Sequence, residues 1–275
     1  MPGGASGADH GCVASHDVLD VLARADASSS LPRLGGMARA GGVVIATDRF
    51  WAYAGADGSL SEGVMPGRAG RFRSIPLLRG LMRLGSSLAP LARGRGVASG
   101  RERIFLLVAV LAPLLLFLLP EGFRLPAGLA VSAGLVFWML RGRTLRLHGA
   151  EHRAIAAVEE HRLVETWVGS ARPTRFAARC GTNFAALALP VTLAAERLWP
   201  LPAVAVLTPV FVALFSLALT MELWVLVQAS ERRAARALLL PGLALQRLTT
   251  REPALDDTRL ALVATASVLR RELGT

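Results

Sequence analysis

The sequence predicts a mainly α-helical, polytopic membrane protein with about four transmembrane helices, a small β-rich N-terminal piece and further cytoplasmic helices. Three observations support this class. Of the 275 residues, 53% are hydrophobic and only 19% are charged. The hydrophobic residues gather in four long runs, which lie within residues 104–140 and 184–228. Arginine-rich segments flank these runs, as in loops that stay on the cytoplasmic side of a membrane.

The net charge of +11 comes entirely from arginine, because the 31 basic residues include no lysine. Such a basic balance is compatible with nucleic-acid binding. The arginines cluster beside the apolar runs, however, and this favours the positive-inside pattern of a membrane protein. We therefore expect a lipid bilayer as a partner, and no nucleic acid. The two cysteines, Cys12 and Cys180, indicate no disulfide framework.

The N-terminal part of the chain divides into three segments. Residues 1–38 are rich in Gly, Ala, Ser and Asp and are predicted to form a flexible tail, within which Val18–Ala23 could form a short helix. Residues 39–62 contain β-branched and aromatic residues around an Asp-Gly turn, which predicts a small β-rich segment of two or three strands. Residues 71–95 predict an amphipathic helix with leucines on one side and arginines on the other.

The apolar runs predict two pairs of transmembrane helices. Residues 104–140 predict a hairpin, because two apolar runs are joined there by a short turn and flanked by arginines at both ends. Residues 184–228 predict the second pair, whose long last span contains Glu222. The basic flanks place both termini in the cytoplasm and the protein in the inner membrane, as a multi-pass protein.

Two cytoplasmic segments complete the predicted organisation. Residues 141–183 contain a helix with the sequence HGAEH and a polar connection that ends in RCGT. Residues 241–275 follow the second transmembrane pair and predict a C-terminal helix with an apolar stripe, docked on the cytoplasmic side.

The HGAEH segment is the strongest chemical signal in the chain. His148, Glu151 and His152 have the spacing H-x-x-E-H. Residues three and four apart share one face of a helix. This spacing therefore places two imidazoles on one metal ion with a carboxylate beside the open position. We expect His148 and His152 to bind a divalent ion, and zinc is the expected ion because imidazole suits it.

A third metal ligand must come from another part of the chain, because a catalytic zinc ion normally keeps three protein ligands. Glu222 is the first choice, since a carboxylate inside an apolar span costs about 2.5–3.5 kcal/mol to insert and usually has a partner. Cys180 is the second choice, because a thiolate is a good zinc ligand and this residue lies at the start of the third predicted span.

The expected chemistry is hydrolysis of a peptide or amide bond in or near the membrane. Glu151 is the expected general base, and Arg179 the group that stabilises a developing oxyanion. Glu159, Thr182 and Asn183 are expected to surround the metal ligands without binding the ion. The alternative is a non-catalytic membrane scaffold or assembly factor. Cation transport ranks last, because the predicted spans contain almost no polar residues.

The motifs LHGAEHRAIAAVEE, ARCGTNF and LQRLTTREP resemble those of the YqhQ family of bacterial membrane proteins. That family is a domain of unknown function whose members are described as predicted metal-dependent enzymes. The resemblance covers about residues 34–270, and PLLRGLM at residues 76–82 is similar to a further family motif. It implies a role for the positions that match: His148, Glu151, His152, Glu159, Arg179, Cys180, Gly181, Thr182, Glu222, Gln246, Thr249, Thr250, Glu252 and Pro253.

The chain departs from the family pattern at two places. Ala177 and Ala178 stand where the family has His-Pro, immediately before the RCGT motif. The family's N-terminal motif is reduced here to LGGMARA at residues 34–40. The chain is therefore expected to be a divergent member, and the resemblance implies a metal site without naming a substrate.

Overall fold

The computed structural model of the chain describes residues 15–66, 74–88, 119–139, 142–199 and 207–274, together with residues 90–91, 97, 99–100, 102–104 and 107. The strands in this part of the chain are β1 (Gly35–Arg39), β2 (Gly42–Ala46), β3 (Phe50–Gly55) and β4 (Leu60–Val64). The helices there are α1 (Ser15–Asp26), α2 (Leu78–Ser87), α3 (Glu121–Met139), α4 (Thr144–Glu159), α5 (Leu163–Val168), α6 (Gly181–Leu198), α7 (Leu207–Ala229), α8 (Arg233–Ala237), α9 (Leu240–Thr249) and α10 (Leu255–Leu273).

The four strands form one antiparallel sheet in the order β1-β2-β3-β4, so each strand pairs with its neighbour in sequence. Side chains alternate across a strand, and the sheet therefore has two different faces. Val43 and Ile45 point into the main core, whereas Val44 packs with Trp51 and Tyr53 on the opposite side. The sheet covers more of the chain than the predicted β-rich segment, residues 39–62.

The main core lies between one face of the sheet and the helices α1, α4 and α10. Its largest fully buried apolar side chains include Leu22, Leu147, Leu262 and Leu269. Because α4 packs against both the sheet and α10, its position is fixed along its whole length. This helix carries the HGAEH sequence.

Helix α1 lies within the segment that was predicted to be a flexible tail. Val18, Val21, Leu22 and Ala25 are buried in the main core. Their spacing of i, i+3, i+4 and i+7 is that of one apolar helix face, which explains why this Ala- and Asp-rich stretch folds. Asp26 then accepts hydrogen bonds from the first backbone N–H groups of α5, at 2.9 Å each, and so ties α1 to the rest of the core.

Helices α6 and α7 form an antiparallel pair outside this core. The Phe184 and Trp224 rings meet near one end of the pair with centroids 5.9 Å apart, and the Trp199 and Phe215 rings meet towards the other at 6.1 Å. Helix α2 packs on α7, and Gly80 allows this close approach, because a Cβ there would lie 2.7 Å from a backbone oxygen of α7. Of the predicted amphipathic helix, residues 71–95, the structure describes residues 78–87 as helical.

The prediction of a four-span polytopic membrane protein is wrong. Within the described ranges, one helical segment, Val210–Ala229, is long and apolar enough to cross a membrane. A four-stranded sheet with amphipathic helices makes up much of the remainder. The third predicted span fails because α6 includes Glu196 and Arg197 in its last turn. Most of the first predicted span, residues 105–106 and 108–118, lies outside the described residues.

The overcount has a physical reason. A chain that is 53% hydrophobic must also fill a sheet-and-helix core, and alanine, valine and leucine serve that core as well as they serve a lipid-facing span. Residues 241–275, where a C-terminal helix with an apolar stripe was expected, contain α10 and all but the first residue of α9, with Pro253 between the two helices.

Candidate metal centre

Two histidines of α4 stand one helical turn apart at the edge of the main core. The rings of His148 and His152 have centroids 4.5 Å apart and meet edge to face. The middle of this helix lies against the segment that follows α9: Arg251 donates its backbone N–H to the Leu145 carbonyl at 2.9 Å, and a Cβ on Gly149 would lie 2.2 Å from the Arg251 carbonyl. Glycine at this position therefore lets the ligand helix approach its neighbour.

Cys180 completes a group of three candidate ligands. Its Sγ lies 3.3 Å from His148 Nε2, and one ligand atom from each of His148, His152 and Cys180 lies within 4.8 Å of the others. Zinc bonds of about 2.0–2.3 Å in a tetrahedral site separate neighbouring ligand atoms by roughly 3.3–3.8 Å. The observed group is thus within about 1 Å of the spacing that one ion requires.

A backbone carbonyl fixes each imidazole from behind. His148 Nδ1 lies 2.8 Å from the Thr249 oxygen, and His152 Nδ1 lies 2.7 Å from the Arg175 oxygen. A carbonyl only accepts hydrogen bonds, so each Nδ1 carries a proton, and in the neutral imidazole Nε2 is the nitrogen with the free lone pair. Metal-binding histidines are commonly oriented in this way.

The Nε2 atom of His152 is the least satisfied polar atom of the group. It is buried and has no hydrogen-bond partner among the described residues, and His152 as a whole is only 2% exposed. Leaving a buried polar atom without a partner costs about 1–3 kcal/mol. An ion between the three ligands would give this lone pair a partner, so the residues present fit a metal ion.

Cys180 is the N-cap residue of α6, and its sulfur accepts from the start of that helix. Thr182 donates its backbone N–H at 3.5 Å and its hydroxyl at 3.2 Å to Cys180 Sγ. The start of α6 therefore holds the sulfur in place, 3.3 Å from His148 Nε2. Thr182 therefore contacts a candidate ligand, as a surrounding residue is expected to do.

Two amides hold the loop that precedes Cys180. Gln246 accepts from the Ala177 N–H at 2.9 Å and donates to the Ala177 carbonyl at 2.8 Å. Asn183 donates to the carbonyls of Ala177 and Ala178, at 3.0 and 2.8 Å. Where related sequences have His-Pro, this chain thus has a loop held by its backbone. Gln246 was identified from the family resemblance alone, because spacing gave no reason to single it out.

Two arginines that share one glutamate support the segment that contacts His152. Glu252 accepts from Arg153 at 2.7 Å and from Arg175 at 2.8 Å. Arg153 also donates to the Pro173 carbonyl at 3.1 Å. Since the Arg175 carbonyl holds His152, these contacts fix the position of that carbonyl. Glu252 was identified from the family resemblance, whereas Arg153 and Arg175 were not singled out in the sequence.

Glu151 is buried beneath strand β1. A Cβ on Gly36 would lie 2.6 Å from Glu151 Cγ, so glycine makes room for the carboxyl group. Burial raises the pKa of Glu151 to about 7, although the nearby His148 and a hydrogen bond from the Ala38 backbone act in the opposite direction. The predicted acid of the HGAEH motif is therefore an uncommonly weak one.

The remaining predicted site residues pair with one another or with distant residues. Arg179 forms an ion pair with Glu159, and the pKa of Arg179 is lowered by burial and by the nearby Arg33. The Glu222 carboxylate accepts three hydrogen bonds from Arg79, at 2.7–2.9 Å. The group of candidate ligands does not include Glu222, so of the two choices for a third ligand the structure brings Cys180 to the histidines.

Comparison with known proteins gave one match. A family model described as protein of unknown function (DUF1385) matches residues 134–271. The matched region contains all three candidate ligands and the two residues whose carbonyls orient the histidines. Neither the curated proteins nor the solved structures include a match to the chain.

Proposed function

This chain belongs to the DUF1385 family, the family of YqhQ, and we propose that it is a zinc-dependent hydrolase with the metal ligands His148, His152 and Cys180. The observation that carries the proposal is the buried Nε2 of His152, which lacks a hydrogen-bond partner, on a residue with a ligand atom within 4.8 Å of those of His148 and Cys180. Within the part of the chain that the structure describes, these residues form the group that suits a metal ion.

The donor set selects the ion. Two imidazole nitrogens and one thiolate are typical of zinc, whereas magnesium and calcium prefer oxygen ligands. Zinc in such a site supplies a Lewis acid and lowers the pKa of water to about 7. Three protein ligands leave one position open, as in catalytic zinc sites, whereas structural sites normally have four protein ligands. This count favours an enzyme over a non-catalytic scaffold.

The residues of the chain would then have distinct roles. The two histidines and Cys180 hold the ion, and the carbonyls of Thr249 and Arg175 orient the imidazoles. Glu151 is proposed to exchange a proton with the substrate, because it lies three residues after His148 and its pKa of about 7 suits proton transfer near neutral pH. Arg179 is proposed to stabilise negative charge on the substrate oxygen.

We propose a location at the cytoplasmic membrane, with residues 210–229 of α7 in the bilayer. This segment is the apolar helix of sufficient length, and three exposed arginines follow it closely. Arginine next to a span favours the cytoplasmic side. Since Cys180 begins α6 at the same end of the α6–α7 pair, the metal centre would lie near the membrane surface. A peptide or amide in or near the membrane is therefore the proposed substrate class.

Metal analysis of the purified full-length protein tests the proposal. We expect about one zinc ion per chain, lost on His152→Asn and kept on His161→Asn. His161 is a matched control because it lies outside the ligand group and has a φ of 51°, which asparagine tolerates. Equal zinc content in both variants would contradict the assignment.

A second measurement separates the enzyme from its rival. Zinc-loaded protein is incubated in detergent with a fluorogenic peptide library, beside the Glu151→Gln variant. We expect hydrolysis by the native chain and a loss of at least about 100-fold in the variant, with zinc content unchanged. A zinc-loaded native chain that cleaves nothing in the library would support the non-catalytic membrane module instead.

A further inference from the structure

Helix α9 has two faces of different character. One face carries Gly242 and Gln246, which are buried against α6 and the loop before it. A second face, beside the buried one, exposes Leu245 and Leu248, which are 43% and 68% exposed, along with Pro241. The exposed positions follow the spacing i, i+4, i+7, so they form one apolar stripe along the helix. A contiguous apolar stripe on an outer surface indicates a site that contacts an apolar partner.

Helix α9 packs on the α6–α7 pair, which also exposes apolar side chains. Leu187 of α6, Val227 of α7 and Leu239 just before α9 pack together in one small core, with Leu243 of α9 against it. The helix pair itself exposes leucine and phenylalanine over its length, for example Leu189 at 67% and Leu226 at 62%. Helix α9 and the helix pair therefore form a single packed unit, and both expose apolar side chains.

Exposed arginines lie between the end of α7 and the start of α9. Arg232, Arg233 and Arg236 occupy this connection, and all three are exposed. They follow the long apolar segment directly and precede the apolar stripe. Guanidinium groups bind phosphate oxygens through paired hydrogen bonds, and anionic phospholipid headgroups present such oxygens at the edge of the apolar layer. The exposed arginines therefore lie next to apolar surfaces, just as lipid phosphates lie next to the acyl layer of a bilayer.

We propose that α9 is an interfacial membrane helix that lies in the surface of a bilayer containing anionic phospholipid. Leu245 and Leu248 enter the acyl boundary, and the three arginines of the connection bind lipid phosphates. The inference rests on the proposed membrane insertion of α7, and it adds a lipid contact outside the spanning segment. The expected partner is the bilayer surface, in place of a second copy of the chain or another protein.

The lipid contact and the metal centre share one structural support. Helix α9 ends at Thr249, the residue after Leu248, and the Thr249 carbonyl holds His148. Gln246 on the same helix holds the backbone of Ala177 near Cys180. A helix fixed in the bilayer surface therefore positions elements that contact two of the three candidate ligands.

Photocrosslinking in vesicles tests the proposal with the full-length chain. Benzoylphenylalanine replaces Leu248 on the stripe, Leu214 on α7 as the control for insertion, or Asp57 in the exposed β3–β4 turn as the control for chance contact. The protein is reconstituted in vesicles of phosphatidylcholine with or without phosphatidylglycerol, irradiated, and analysed by mass spectrometry for lipid adducts. We expect lipid adducts at 214 and 248 and none at 57.

The two proposals fail in different ways. Adducts at 214 without adducts at 248 would overturn the interfacial helix and leave the membrane insertion of α7 intact, and crosslinks from 248 to protein would do the same. No adducts at either position would overturn both. The headgroup contact has its own test. At 248 we expect the fraction of adducts that contain phosphatidylglycerol to be at least twice the fraction of this lipid in the vesicles. The triple variant Arg232→Gln/Arg233→Gln/Arg236→Gln should abolish this excess. An excess that survives the triple substitution would overturn the role of the arginines.

Discussion

The metal centre and the Arg79–Glu222 pair are both buried polar groups on helices, yet they differ in what their ligand atoms contact. In the metal centre, a histidine nitrogen is left without a partner and a thiol faces an imidazole. At Glu222, one arginine donates three hydrogen bonds to the carboxylate. A ligand atom needs an unshared lone pair, so burial of a charged residue alone does not identify a metal ligand.

The largest expected effect is a loss of zinc affinity, which should follow a substitution at Cys180 and not one at Glu222. Cys180→Ser removes the proposed sulfur ligand, and we expect zinc affinity to fall by more than about 100-fold, beyond the 10–100-fold typical of surrounding residues. Glu222→Gln should leave the affinity unchanged, because its carboxylate is occupied by Arg79. Competition with a chromophoric chelator measures both variants. A large loss in Glu222→Gln with none in Cys180→Ser would exchange the roles of the two residues.

The buried acid of the HGAEH motif should make stability depend on pH. The pKa of Glu151 is about 7 in the folded chain, against an ordinary value of 4.5. The folded state therefore binds this proton more tightly than the unfolded state, and the free energy of unfolding falls by about 3 kcal/mol as pH rises from 4.5 to 7. Glu151→Gln should lack this decrease. Denaturant unfolding of the native chain and the variant, in detergent with EDTA at pH 5 and pH 7, measures the change in the free energy of unfolding with pH. An equal change in both proteins would show that Glu151 does not titrate in this window.

A pair of glycine substitutions sharpens the comparison through packing. In Gly149→Ala the new Cβ meets the Arg251 carbonyl, and in Gly80→Ala it meets the Ala218 carbonyl. Each should destabilise the fold by about 1–3 kcal/mol through overpacking. Only Gly149→Ala should also weaken zinc binding, because only that contact positions the ligand helix. Thermal melts and zinc titrations of both variants check this, and equal zinc affinities would show that the two packing sites do not differ in this respect.

The smallest effect concerns a hydroxyl near the sulfur. Thr182→Val removes the O–H donor to Cys180 Sγ, and we expect zinc affinity to fall about tenfold. Thr249→Val is the matched control, because that hydroxyl bonds the Leu245 carbonyl while the backbone oxygen that holds His148 remains. The same chelator competition measures both. Equal affinities would mean that the Thr182 hydroxyl contributes nothing to zinc binding.

Local spacing predicted the ligand helix, and long-range pairing limited the rest. His148 and His152 follow from one helical repeat, and Cys180 was proposed from its chemistry. The partner of Glu222 could not be found in this way, because Arg79 is 143 residues distant and the pair forms only in the folded chain. The carbonyls of Thr249 and Arg175 were invisible for a related reason: a backbone group has no sequence signature.

The fold was predicted less well than the ligand helix, since apolar runs alone do not separate a lipid-facing helix from a core helix. Helix α6 illustrates this, because its leucines suggested a span while its last turn carries charged residues. Helix α1 shows the opposite difference: a short helix was expected at Val18–Ala23 within a flexible tail, and the helix extends from Ser15 to Asp26 with Val18, Val21 and Leu22 buried.

X-ray absorption at the zinc edge of the full-length, zinc-loaded protein tests the central claim most directly. The account predicts one sulfur neighbour at about 2.3 Å and two imidazole nitrogens at about 2.0–2.1 Å, with a further light atom at the open position. A spectrum that contains only nitrogen and oxygen neighbours would contradict Cys180 as a ligand, and with it the metal centre described for this chain.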